Sequence, residues 1–158
     1  MAAESCAALL CVGVLAASSP LFAGTEIDLR FKSREEGDLS VVVAPVLRFR
    51  DVGYNANVTM EFLGDPDKII AGFAPELFGA PLLDDDVLWT EVKKQGDATY
   101  YTWGLKPHRF VVATATGNRV FLMATQANTR QWRKGAENHK LITESFYVPP
   151  AKNYSTGF

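Results

Sequence analysis

The two histidines of the chain are the first candidates for chemistry. His108 lies between Pro107 and Arg109, and His139 lies near the C-terminal end. A serine or cysteine nucleophile needs a nearby base and a group that orients it, and these are the only imidazoles that the sequence offers. For His108 a proton carrier or metal ligand and an ordinary loop residue both stay open. His139 recurs with apolar residues at helical spacing, which favours a hydrogen-bonded histidine at the edge of the core.

The other reactive side chains offer little more. Asp84-Asp85-Asp86 supplies carboxylates that suit calcium, but the spacing of an EF-hand is absent, and a solvated loop is the alternative. No glycine-rich loop for phosphate is present. Cys6 and Cys11 both lie in the first eleven residues. If that segment is removed, the mature domain has no thiol for catalysis, disulfides or zinc. These residues therefore predict a protein that is not an enzyme.

The stretch QANTRQWRKG surrounds Trp132 with three cations, Arg130, Arg133 and Lys134. It is open to two interpretations, an anion-binding patch or the start of a helix whose tryptophan belongs to the core. A formal net charge of −2 argues against nucleic-acid binding. Residues 1–100 carry 8 Lys and Arg against 16 Asp and Glu, whereas residues 101–158 carry 8 against 2. This asymmetry predicts a basic surface for an acidic partner, with Arg119, Arg130, Arg133 and Lys134 as candidate docking residues.

The termini frame a single domain. Residues 1–23 form an uncharged apolar run after Glu4, with Pro20 and Ala23 near its end. We predict a removed targeting segment, with an uncleaved membrane anchor and a buried helix as alternatives. The domain is then 24–148. Residues 149–158 contain two prolines and small polar residues, which predicts a flexible tail.

Strands dominate the pattern between these ends. Alternation of polar and apolar residues, β-branched runs and turn residues predict six strands: Glu26–Lys32, Leu39–Val46, Val87–Lys94, Thr99–Gly104, Arg109–Thr116 and Arg119–Thr125. Gly117-Asn118 joins the last two strands as a two-residue hairpin turn. The segment Val58–Leu63 stays open between strand and loop.

Two helices are predicted to pack on this sheet. Asp65-Pro66 is a helix-start pair, and apolar residues follow at helical spacing as far as Phe78, with Pro75 expected to end or kink the helix. The second helix carries one apolar stripe formed by Trp132, Ala136, His139, Ile142 and Phe146. The sequence therefore predicts an α+β domain, a central antiparallel β-sheet flanked by helices.

Several blocks of the sequence, taken in order, resemble the PsbP family. They are DLSVVVAPV after Phe31-Lys32, LGDPDKII from Leu63, YYTW from Tyr100, PHRFVVATATGNRVF from Pro107, QWRK from Gln131 and ESF from Glu144. The similarity runs over residues 26–148. This family comprises lumenal extrinsic proteins of photosystem II and their PsbP-like and PsbP-domain relatives.

The resemblance implies more than the residues do. It implies an α-β-α sandwich, a chloroplast location in the thylakoid lumen peripheral to the membrane, and no catalytic activity. The implied role in photosynthesis is association with photosystem II, where the founding member stabilises the oxygen-evolving complex and its calcium and chloride. The alternatives are an assembly factor for photosystem I or II and a subunit of the chloroplast NADH dehydrogenase-like complex. A small-ligand-binding or enzymatic domain is the alternative of another class.

Two departures from the family bear on the site. A metal-binding histidine of the family corresponds to His108, which makes this residue a candidate metal ligand, but Thr129 replaces the acidic residue that would complete the pair. Calcium is a possible cofactor by family association. Only a few residues separate Ala23 from the first strand, where the founding member has an extended arm. A short arm favours a relative over the founding protein. Residues 47–62 are longer than the family pattern, and we assign them no role.

Overall fold

The computed structural model describes residues 27–51 and 57–150. Within them six strands form one sheet and three helices pack on it. In chain order the elements are β1 (Ile27–Ser33), β2 (Gly37–Pro45), α1 (Met60–Leu63), α2 (Pro66–Phe78), β3 (Val87–Gln95), β4 (Ala98–Leu105), β5 (Arg109–Thr116), β6 (Arg119–Gln126) and α3 (Thr129–Glu144). The strand order is β1-β2-β6-β5-β4-β3, and all neighbours are antiparallel. The prediction of an α+β domain is confirmed.

Helices cover both faces of the sheet. One face, here called the α2 face, packs its alternate side chains against α1 and α2. Trp103 is fully buried there, its indole N–H donates to the carbonyl oxygen of Pro66 at 3.2 Å, and its ring meets Phe73 edge-on. Truncating such a buried aromatic side chain costs about 3–5 kcal/mol, so Trp103 is a main determinant of how α2 packs.

The opposite face, here called the α3 face, carries a smaller core. Tyr100, Val112 and Met123 are buried there against Ile142 and Phe146. The hydroxyl of Tyr100 accepts a hydrogen bond from the backbone N–H of Val148 at 2.9 Å, which ties the chain beyond α3 back to the sheet. The architecture is therefore the α-β-α sandwich that the resemblance implies.

The helix boundaries differ from the sequence prediction in three places. The segment Val58–Leu63 is not a strand, and only its first two residues are a loop. Helix α1 forms over its last four residues, with Met60 and Leu63 buried. Pro75 does not end α2, which continues to Phe78, because buried Leu77 holds the last turn and Gly79 closes it with φ 70°. Phe146 lies beyond the end of α3, although it packs on the sheet as predicted.

The predicted start of α2 is confirmed at Pro66, although the Asp65 carboxylate makes no capping hydrogen bond and instead lies 3.6 Å from the Lys68 amine. The Gly117-Asn118 turn is also confirmed, with Gly117 at φ 61°. The predicted targeting segment, 1–23, lies outside the described residues, as does most of the tail. No helix in the described part of the chain is long and apolar enough to cross a membrane.

Candidate functional site

The candidate site is built on the first turns of α3. Asn128 caps this helix: its Oδ1 accepts the backbone N–H of Gln131 at 2.9 Å, and Oε1 of Gln131 accepts the backbone N–H of Asn128 at 2.8 Å. Each bond satisfies a backbone donor that has no partner within the helix, and such a cap contributes about 1 kcal/mol. The helix therefore begins at a fixed residue.

Gln131 also ties α3 to the turn between β1 and β2. Its Nε2 donates to the carbonyl oxygens of Ser33 at 3.3 Å and Arg34 at 3.0 Å. The start of α3 is held by contacts with a distant part of the chain as well as by its own cap. Sequence reasoning missed this role, although Asn128-x-x-Gln131 is a recognisable capping-box pattern.

The basic patch, defined as Arg130, Arg133 and Lys134, projects outward from this anchored end. All three side chains are exposed. None forms an ion pair with another described residue, whereas Arg30, Arg48, Lys68, Lys93 and Arg109 each lie within 4.0 Å of a carboxylate. The first turn of α3 contains no acidic residue. Arg130 lies in the first turn, where a cation opposes the helix dipole at a cost of about 0.3–1 kcal/mol, whereas Arg133 and Lys134 lie in the second turn, where this effect has fallen off.

Arg119 does not join the basic patch. It is the first residue of β6 and pairs with Thr116 and Pro45, whereas α3 follows the other end of that strand. At about 3.3 Å per residue, the eight-residue strand separates the two ends by roughly 23 Å. The structure therefore brings three of the four predicted docking residues together and places Arg119 at the opposite end of the sheet.

Aromatic side chains support the patch from the inner side of α3. The ring of Trp132 lies 5.0 Å from that of His108 with an interplanar angle of 24°, 5.1 Å from Phe110 and 5.8 Å from His139. Phe110 in turn lies 5.8 Å from Trp89. We call these five residues the aromatic cluster. Trp132 faces the sheet as predicted, but it is half-buried rather than fully enclosed.

His108 is placed by the turn between β4 and β5. Its φ of 52° lies in the left-handed region, and its carbonyl oxygen accepts the backbone N–H of Ala127 at 3.1 Å. Its ring packs on Trp132. Residues 27–51 and 57–150 contain no group of three or more His, Cys, Asp or Glu side chains that could hold a metal. The stacking interaction is thus the observed role of His108.

His139 matches its predicted role. It is buried, and its Nε2 lies 2.5 Å from the carbonyl oxygen of Glu36, so this nitrogen carries the proton and donates. Nδ1 is buried without a hydrogen-bond partner among the described residues. His139 therefore connects α3 to the β1–β2 turn beside the contacts of Gln131.

The acidic run Asp84–Asp86 forms a 3-10 turn before β3. Asp86 accepts the backbone N–H of Leu83 at 3.0 Å and lies 4.0 Å from Arg109, whose guanidinium also stacks over Phe78. Burial lowers the pKa of Arg109 from its ordinary value, and Asp86 opposes that shift. An arginine stays charged through a shift of this kind. Asp86 and Arg109 thus hold this end of the sheet, where β6 leads into α3, against α2 on the opposite face.

An open cleft of about 260 Å³ lies between β3 and α3. Trp89 and Phe110 form part of its floor, and Lys93 and Lys140 lie on its rim. Trp89 fits there because residue 104 is a glycine: a Cβ at Gly104 would lie 2.2 Å from the indole Nε1. Sequence reasoning gave no signal for this packing, because it depends on the pairing of Trp89 with Gly104 across two strands.

The fold and the site together define a sandwich domain whose candidate site is a cationic surface on an anchored helix. No protein-family model matches the chain. Two curated relatives from Arabidopsis thaliana match the chain. PsbP domain-containing protein 4, chloroplastic, is 43% identical over 126 residues (79% of this chain, 48% of the relative). PsbP domain-containing protein 6, chloroplastic, is 32% identical over 129 residues (77% of this chain, 48% of the relative). The chain spans about half the length of these curated relatives.

A solved structure agrees on the fold. The solution structure of cyanobacterial PsbP from Synechocystis sp. PCC 6803 superposes with a TM-score of 0.57, covering 84% of this chain and 81% of that chain at 14% identity. Identity this low supports the fold alone. With the two relatives, it confirms the resemblance: the chain carries a domain of the PsbP family.

Proposed function

We propose that this protein is a non-catalytic, extrinsic protein of the thylakoid lumen that docks on a photosynthetic membrane complex through its basic patch. Photosystem II is the proposed partner, with stabilisation of the oxygen-evolving complex as the role. The relatives are chloroplastic by name, and the proposal extends this location to this chain.

The observation that carries the proposal is the set of three unpaired cations at the start of α3. They are exposed and without ion-pair partners in the described chain, and Arg130 lies in the first turn of the helix, where the dipole disfavours a cation. A cluster of cations that no carboxylate of the described chain neutralises is available for a contact outside the molecule. An acidic protein surface is the matching partner, because complementary charge accelerates association and orients it.

The test is salt-dependent binding of the full chain to isolated thylakoid membranes. The variant Arg130→Gln/Arg133→Gln/Lys134→Gln removes the patch. The matched control Lys68→Gln/Lys94→Gln/Arg119→Gln removes the same formal charge elsewhere on the domain. We expect the patch variant to bind at least about tenfold more weakly and to lose most of its salt dependence, because each lost contact contributes on the order of 0.5 kcal/mol or more. The control is expected to bind like the unmodified protein.

Equal loss of binding in the two variants would show that only net charge matters and would refute a defined docking patch. Unchanged binding in the patch variant would refute the proposal itself. Native gels of solubilised thylakoids identify the partner, because a lasting subunit migrates with one mature complex. If the protein migrates only with partly assembled photosystem I or II, its role is that of an assembly factor. If it migrates with the NADH dehydrogenase-like complex, it is a subunit of that complex.

Calcium retention is a finer part of the proposal and comes from the family resemblance. Titration of Ca²⁺ into the full chain tests it, with His108→Gly as the variant, because glycine tolerates the positive φ of this position and, unlike asparagine, offers calcium no side-chain oxygen. Binding that disappears in the variant would assign the ion to His108. If Ca²⁺ produces neither a heat of binding nor a change in melting temperature, calcium retention would be a property of the partner complex and not of this chain.

A further inference from the structure

Strand β3 is an unusually open edge of the sheet. Among the described strands it pairs with β4 alone. Its side chains Leu88, Trp89 and Val92 are 57%, 42% and 52% exposed. Edge strands present unpaired backbone groups to further strands, and proteins protect them with charged side chains, prolines or bulges. β3 carries Glu91, Lys93 and Lys94, so a further strand must match these charges. The irregularity in β3 lies only at its start, between Val87 and Trp89, which leaves the rest of the strand regular.

The hairpin with β4 determines which backbone groups of β3 are free. Gln95 faces Ala98 across the two-residue turn Gly96-Asp97, so these two residues exchange the closing pair of hydrogen bonds. Hydrogen-bonded pairs then alternate along the ladder. The backbone N–H and C=O groups of Thr90, Val92 and Lys94 consequently point away from β4, toward solvent.

We propose that a second copy of this chain pairs with β3, strand against strand and antiparallel, about a two-fold axis at Val92. In this register Val92 lies opposite Val92 of the second copy, and Thr90 lies opposite Lys94. The outward backbone groups meet in about six main-chain hydrogen bonds, and the two sheets become one continuous sheet. The apolar Val92 side chains, each half exposed in one copy, cover each other on the α2 face.

Charge complementarity selects this register. Glu91 lies opposite Lys93 of the second copy, and symmetry repeats the pair, so two cross-strand ion pairs form on the α3 face. Within one copy Glu91 and Lys93 already lie 3.4 Å apart, so the four charges form one alternating group. In β3, Glu91 and Lys93 carry opposite charges and lie on either side of Val92. A strand with this arrangement is complementary to an antiparallel copy of itself.

The alternative registers are less favourable. A two-fold axis at Lys94 places the lysines of the two copies opposite each other. An axis at Glu91 does the same with two glutamates, and it aligns backbone groups that are already bonded to β4. An axis at Thr90 brings the irregularity between Val87 and Trp89 into the ladder, where it interrupts the hydrogen bonds. The Val92 register avoids all three costs.

The test is the mass of the full chain in solution by sedimentation equilibrium, under reducing conditions so that Cys6 and Cys11 form no cross-links. The chain has a mass of 17.4 kDa. We expect twice this mass to be reached reversibly as the concentration rises from about 5 µM to about 500 µM. Glu91→Lys and Lys93→Glu each set like charges opposite each other twice, so each is expected to raise the dissociation constant about tenfold or more. The double exchange Glu91→Lys/Lys93→Glu restores complementarity and is expected to return it to within about threefold.

Val92→Pro tests the backbone contacts separately. It removes the N–H at the axis, which points away from β4, so an edge strand can accept it. We expect a folded monomer, whereas Val92→Thr keeps the N–H and the branched Cβ and stays a dimer. Circular dichroism and thermal melts report folding, and if Val92→Pro does not fold, the charge exchange decides alone. A monomer at all concentrations, or a dimer indifferent to the single charge reversals, would overturn the proposal.

Discussion

Gly104→Ala is expected to destabilise the domain by forcing Trp89 out of its place on the sheet. An ideal Cβ at residue 104 would lie 2.2 Å from Nε1 and 2.4 Å from Cε2 of the Trp89 indole, far inside contact distance. The indole must swing away, and its contact with Phe110 at 5.8 Å is lost or distorted. Because Trp89 is partly exposed, the ring can move into solvent, and the cost is about that of its lost contact with Phe110, about 0.5–1.5 kcal/mol. For a domain of this size about 1 kcal/mol lowers the melting temperature by about 4 °C, so we expect a decrease of about 2–6 °C.

Gly72→Ala is the matched control, because it makes the same chemical change where no clash exists. Gly72 lies in α2 and is exposed, and a Cβ there would meet nothing within 4 Å. Alanine in an exposed helix is favoured over glycine by about 0.5–1 kcal/mol, so the melting temperature is expected to rise by about 2–4 °C. The two substitutions should therefore shift the melting temperature in opposite directions.

Trp89→Ala completes the experiment, because it removes the ring with which the new Cβ collides. Alone it loses the contact with Phe110, a cost of about 0.5–1.5 kcal/mol. In that background Gly104→Ala should cost nothing or stabilise the strand slightly. An equal loss of stability from Gly104→Ala with and without Trp89 would refute this explanation, as would a melting temperature that Gly104→Ala leaves unchanged.

Three further predictions concern the site and its supports. Neutralising the basic patch to glutamine should raise the melting temperature slightly even as it weakens docking, because about 0.3–1 kcal/mol is relieved at Arg130, the patch cation in the first turn of α3; an unchanged or lower value in thermal melts would contradict this. Gln131→Ala should cost about 2–3 kcal/mol in chemical unfolding, because it removes half of the capping box and the bonds to the β1–β2 turn, whereas Gln131→Glu should keep the cap and lose only those bonds. The hydrogen bond from Thr99 is the main cause of the lowered pKa of Glu61. Glu61 therefore contributes stability that is present above the ordinary carboxyl pKa and lost as the pH falls through the lowered value. The melting temperatures of Glu61→Gln and the unmodified protein, followed from about pH 7 to pH 3, should converge at the acid end.

Most of the sheet could be predicted from the sequence because its signals are local. The alternation from Arg109 onward and the two-residue turn at Gly117 fix both strands and their register, and the structure agrees within a residue or two. Helix α1 could not be predicted in this way. One turn is too short to show a 3.6-residue period, and the burial of Met60 and Leu63 against the sheet stabilises it instead.

The candidate site was predictable in composition but not in arrangement. The charges of α3 and the inward position of Trp132 follow from helical spacing, whereas the buried Gly135 and Thr143 are small or polar and leave no trace in an apolar pattern. The stacking of His108 on Trp132 depends on the turn after β4 meeting the chain after β6, which only the register of the whole sheet determines. For the same reason the charge of Arg119 can be read from the sequence, but the end of the sheet on which it lies cannot.

The capping of α3 explains how the domain tolerates its own basic patch. Arg130 in the first turn costs about 0.3–1 kcal/mol, which weakens a turn that is held only by helical bonds. Asn128 and Gln131 supply two capping bonds and two bonds to the β1–β2 turn, each contributing about 0.5–1.5 kcal/mol, so together they outweigh this cost. Gln131 lies between the cations in sequence, yet its amide reaches the β1–β2 turn while the cations are exposed. A partner that needs the patch in one orientation should therefore bind Gln131→Ala more weakly, although every charge is still present.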